Sequence, residues 1–164
     1  MTLLKNSARC LEVSRNCRTF ARQNEFVTKK VKILSMNQED MEQKRTTPER
    51  IESLQPNEIF VFGSNLEGMH GGGAAWTAYR KFGAIMGQGV GLQGQSYGIP
   101  TMQGGVETIK PYVDEFIDFA KAHPELTFLV TRIGCGIAGF RNEEISPLFE
   151  KAHDVENIVL PPGW

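Results

Sequence analysis

Asn65, His70 and the run Gly71-Gly72-Gly73 fall in one short stretch, "VFGSNLEGMHGGGAA" at 61–75, of a chain whose first glycine is Gly63. Glycines in series leave the main chain bare, so its N–H groups can approach an anion closely. The amides of Gly71, Gly72, Gly73 and Ala74 would open a helix, and the positive end of that helix would attract a phosphate. A second stretch, "RIGCGIAGF" at 132–140, separates Gly134, Gly136 and Gly139 by Cys135, Ile137 and Ala138 and ends on Phe140. Two such strips of backbone facing each other suit a diphosphate better than one phosphate. Either strip alone is equally well explained as a tight strand-to-helix turn, because a lone glycine pattern specifies little.

The side chains around these loops leave several chemistries open. His70, as a histidine, could act as a general acid or base, bind a phosphate, or simply face solvent. Cys135 could be a nucleophile if helix-start dipoles lowered its pKa, or a small packed residue. Arg132 could hold a phosphate bidentately or pair with an acidic neighbour. Gln88, Gln93 and Gln95, in the glycine-rich "GQGVGLQGQ", could offer amides to a nucleobase or ribose or sit in a solvated loop. Trp76, Tyr79 and Phe82 have helical spacing and are expected in the core. Cys10, Cys17 and Cys135 make no C-x-x-C pair and no His-containing ligand spacing, so neither a disulfide framework nor a zinc site is indicated; no metal and no cofactor is expected.

These loops need strands and helices to hold them. "EIFVFG" ends in glycine as a buried strand does, and "GGAAWTAYRKFG" reads as a helix stopped at Gly83. "GQGVGLQGQ" reads as loop and "SYGIPT" as a second strand. Ile109, Val113, Phe116, Ile117 and Ala120 line one face of a helix with Pro111 near its first turn. "LTFLVTRI" is a third strand, "GCGIAGF" a loop, "EEISPLFEKAH" a helix capped by Asn142, and "ENIVLP" a fourth strand. Strands alternating with helices imply a mostly parallel central sheet covered on both sides, a three-layer α/β/α architecture. Ligands in such sheets collect beyond the carboxyl ends of the strands, which places both glycine loops on one rim.

The chain of 164 residues fits one domain at 51–164 preceded by an extension and linker at 1–50. Residues 1–35 hold eight Lys/Arg against Glu12 and Glu25, a net +6, which leaves −7 for the remainder. An acidic core repels a polyanionic backbone, so direct nucleic-acid binding by that domain is disfavoured. "NQEDMEQKRTTPER" reads as a solvated linker. The basic start is either an organelle transit peptide or an upstream extension with Met36 as the functional start. No run approaches a membrane span, no secretory signal is evident, and cytoplasmic residence is the simplest expectation.

"NLEGMHGGGAA" resembles the first binding loop of ADP-ribose-binding macrodomains, with an asparagine at a strand end, a spacer, a glycine triplet and a helix. "RIGCGIAGF" is similar to their second loop, and the resemblance, running over about 57–162, is strongest to the terminal ADP-ribose protein glycohydrolase branch. It implies that Asn65 contacts the distal ribose, that Gly71 to Gly73 and Gly134 to Gly139 hold the diphosphate, and that Phe140 packs on the distal ribose. The partner so implied is ADP-ribose, free or on a modified macromolecule. Where that branch uses a lysine and an aspartate, this chain has Thr101-Met102 and Ala138; where other hydrolytic macrodomains place an aspartate, it has Ala75. The acid that grips adenine has no clear counterpart either. The resemblance thus implies a binder of ADP-ribose or a related nucleotide diphosphate sugar, with an ADP-ribosyl or phospho-ADP-ribose hydrolase, using substrate-assisted attack by water positioned by Asn65 and His70, as the alternative.

Overall fold

Alternation along the first strand, β1 (Glu58–Ser64), sends successive side chains to opposite faces of the sheet. Ile59 and Val61 join one apolar cluster, whereas Phe60 and Phe62 join another with Ala75, Ala78 and Phe82. The computed structural model describes residues 45–164, which form a single unit. The elements after β1 are α1 (Gly73–Lys81), β2 (Gly91–Gln93), β3 (Ser96–Pro100), α2 (Val106–Ala122), β4 (Thr127–Val130), α3 (Asn142–Ile145), a 3-10 segment (Ser146–Asp154) and β5 (Ile158–Val159). This is an α/β fold.

The five strands lie in the order β2-β3-β1-β4-β5. β1 is parallel to both β3 and β4, β4 is parallel to β5, and only the edge strand β2 runs antiparallel, against β3. The Ile59/Val61 face carries Ile109, Val113, Phe116 and Ile117 of α2, Ile145 of α3 and Phe149 of the 3-10 segment. α1 lies on the Phe60/Phe62 face. Each fully buried Phe or Ile contributes roughly 1.5–3 kcal/mol. One connection matters for the site: the chain leaves β1 towards α1 on one face and leaves the adjacent β4 towards α3 on the other. Neighbouring strands whose exits diverge open a crevice beyond their carboxyl ends.

Several boundaries differ from the sequence expectation. "GQGVGLQGQ" contains β2, because its Leu92 and Gln93 pair with Tyr97 and Ser96 to make a short hairpin. α2 begins at Val106, so Pro111 lies inside it rather than in its first turn. α3 begins at Asn142 with Arg141 as the cap, the Arg141 amide donating to Glu144 Oε2 at 2.8 Å. The α-helix then yields to 3-10 geometry at Ser146, where Pro147 supplies no amide donor. Trp76 and Tyr79 are 45% and 40% exposed, since the inward face of α1 is formed by Ala75, Ala78 and, at its end, Phe82. The ordered core also starts before the boundary at 51. Thr47 is buried, its amide donates to Leu160 O (2.8 Å) and its hydroxyl to Val159 O (2.7 Å). The expectations for residues 1–44 fall outside the described residues.

Candidate functional site

Beyond the carboxyl ends of β1, β3 and β4 lies a cleft of about 360 Å³. The β1–α1 loop contributes Asn65, Met69 and Gly71 through Ala75, and the loop after β4 contributes Arg132, Gly134, Gly136, Ile137 and Ala138. The two glycine loops therefore meet at one site. The Ile137 side chain reaches across to the first loop: a Cβ placed on Gly72 would lie 3.0 Å from its Cδ1, and one on Gly73 3.7 Å. At Gly71 and Gly136, a Cβ would meet nothing within 4 Å, so the backbone there opens onto free space.

The backbone of both loops offers free donors. The first amide of α1 to find a partner is Trp76's, which donates to Gly72 O at 3.1 Å. The five preceding amides, Gly71 to Ala75, have no acceptor among the described residues; the start of a helix leaves four such donors, and Gly71, ahead of the cap, adds a fifth. In the second loop Gly139 donates to Gly136 O (3.0 Å) and Phe140 to Gly134 O (3.0 Å), which curls the chain and leaves the amides of Gly136, Ile137 and Ala138 without an acceptor among the described residues. Free donors on both walls and a helix start at one of them form an environment suited to an anion.

Individual side chains depart from their expected roles. Asn65 reaches the cleft, but its amide is bonded twice to Met69, donating to the carbonyl (3.0 Å) and accepting from the amide (2.9 Å). It thereby closes the loop that leads to the glycines. His70 does not line the cleft: it is fully buried, and its Nε2 lies 3.0 Å from Ile85 O and 3.1 Å from Gln88 O. Carbonyl oxygens only accept, so Nε2 carries the proton, and the ring stands edge-on to Phe62 at 5.2 Å. A buried imidazole held this way is unfit for the expected catalytic role. Of the two readings of Cys135 the packed one fits, since it lies against the core and burial pushes its thiol pKa up, opposite to the lowering a nucleophile needs. Cys135, Gly139 and Phe140 do not line the cleft; Phe140 packs against the core, beside Gly134.

Gln93 is buried, accepting from Ile85 N (2.6 Å) and donating to Gln88 O (3.1 Å). Gln88 bonds Leu92 O (3.1 Å) and Gln95 bonds Gln55 O (3.0 Å), so these glutamines bind the protein's own backbone. Arg132 pairs with no acid among the described residues; its Nη1 donates to Asn142 Oδ1 (2.9 Å) and its Nη2 to Pro162 O (2.7 Å). Thr101 and Thr131, at the ends of β3 and β4, complete the floor of the cleft. Sequence reasoning noted Thr101 only as a departure from the resembled branch and passed over Thr131, although a residue directly after a parallel strand is where such a floor must lie. Beyond Thr131 and Arg132 two further cavities open, of about 190 and 370 Å³, and Glu49 lines both. No group of three or more His, Cys, Asp or Glu among the described residues could hold a metal ion. Neither family models, curated proteins nor solved structures provide a match to this chain.

Proposed function

We propose that residues 45–164 form a macrodomain-like module that binds ADP-ribose or a related nucleotide diphosphate sugar. The observation that carries this reading is the pair of glycine loops whose unpartnered amides line one cleft where the exits of β1 and β4 diverge. The diphosphate would lie between Gly71–Ala74 and Gly136–Ala138. The nucleoside would extend past Thr131 and Arg132 into the adjoining cavities, where Glu49 supplies an acceptor for an exocyclic amine. This supplies a candidate for the acid that the resemblance requires and that the sequence did not reveal. Binding is preferred over hydrolysis because the described residues lining the cleft include no carboxylate, imidazole or thiol, and His70 is enclosed.

Titration calorimetry with ADP-ribose should give saturable binding to the wild-type protein, and Gly72→Glu should abolish it by setting a carboxylate among the donors. Heat-silent titrations, together with no thermal shift, would reject the reading. Release of free ADP-ribose from a modified protein would reject the preference for binding alone.

A further inference from the structure

Arg132 stands where three cavities meet, since it and Thr131 line the cleft and both cavities beyond it. Among the described residues its guanidinium is fixed by neutral oxygens only, those of Asn142 and Pro162. No carboxylate among the described residues reaches salt-bridge distance of it. The same Asn142 oxygen also accepts the indole N–H of Trp164 (3.1 Å) and the thiol of Cys135 (3.5 Å). One side-chain oxygen thus gathers the end of β4, the second glycine loop and the segment at 161–164. Trp164 is itself braced against the fully buried Phe149, ring centre to ring centre 5.2 Å.

A neutral acceptor orients a guanidinium without cancelling its field, whereas a carboxylate in its place would form an ion pair that competes with any incoming anion. We infer that Asn142 is a positioning residue that holds Arg132 as an uncompensated cation aimed at the anionic linker of the ligand, making the site selective for a charged diphosphate. This rests on the reading of the cleft as a nucleotide diphosphate site and adds the residue that sets its charge preference. Asn142 touches no ligand in this arrangement; it acts through Arg132.

Asn142→Asp provides the test, because it keeps the shape and the acceptor oxygen while adding a charge. A merely structural role predicts unchanged affinity. The positioning role predicts that ADP-ribose and inorganic pyrophosphate each bind at least about tenfold more weakly. The thermal midpoint should not fall, and log Kd should depend less steeply on log salt. In Arg132→Gln the same Asp substitution should have no further effect, as a double-mutant cycle would show. Unchanged affinity in Asn142→Asp, or equal losses with and without Arg132, would overturn the inference. Should the Asp variant fail to fold, the Arg132 Nε–H resonance of the wild-type protein must shift on adding pyrophosphate, and a static resonance would be equally decisive. Binding of pyrophosphate without ADP-ribose would sink the ADP-ribose reading and leave Asn142 to be judged on pyrophosphate. Binding of neither would sink both.

Discussion

Glycines of this protein do two different jobs, and contacts separate them. A Cβ on Gly89 would lie 1.9 Å from Asn65 O, so the loop before β2 is pressed against the end of β1 at a distance only glycine permits. The Ser64 hydroxyl donates to Gly89 O in the same place. Gly71, by contrast, faces open space. Gly89→Ala should therefore destabilise the fold by about 1–3 kcal/mol or more, while Gly71→Ala should stay within about 0.5 kcal/mol of wild type. Urea unfolding of both variants checks this, and equal stabilities would refute the distinction. Sequence shows that both positions are glycine. It does not show which one has the neighbouring carbonyl, because that neighbour arrives from another part of the chain.

Elements were legible where their own residues decide them. The apolar run of β1 that ends in glycine and the apolar stripe of α2 are local patterns, and both appear in the fold. Legibility failed where a distant partner decides: β2 exists because β3 pairs with it, and His70 is buried because Ile85 and Gln88 close over it. At the site, the meeting of the two glycine loops followed from their places after strands, but the enclosure of the glutamine amides did not. The segment at 45–50 is the clearest case, as its polar sequence hides Thr47 bonded to the chain around β5. Removing residues 1–50 should lower the urea midpoint relative to removing residues 1–44. The shorter product loses the two Thr47 bonds, each worth about 0.5–1.5 kcal/mol, and the Arg45–Glu58 pair at 2.6 Å. Identical midpoints would show that the segment contributes nothing.

For the molecule as a whole, the core facing α2 ties acid–base behaviour to folding. Tyr97 packs against Phe116 at 5.1 Å between ring centres, and Phe116 meets Phe128 at 5.5 Å. Burial, followed by the charge of Glu115, pushes the Tyr97 phenol up to about 12. An unfolded chain releases that proton near pH 10, while the folded chain retains it, so stability is fully present below that value. It declines as pH rises towards the folded pKa. Tyr97→Phe should flatten this alkaline decline in thermal midpoints, and parallel declines would assign it to other groups. No helix among the described residues is long and apolar enough to cross a membrane.

The margins of the sheet carry a last consequence. At one side stands β2, three residues long; at the other stands β5, only two, with Thr47 already bonded at its end. A foreign chain seeking to lengthen the sheet would find scarcely a turn's worth of unmatched peptide groups to grasp. Among the described residues, stacking of copies edge to edge into fibrils is correspondingly poorly templated.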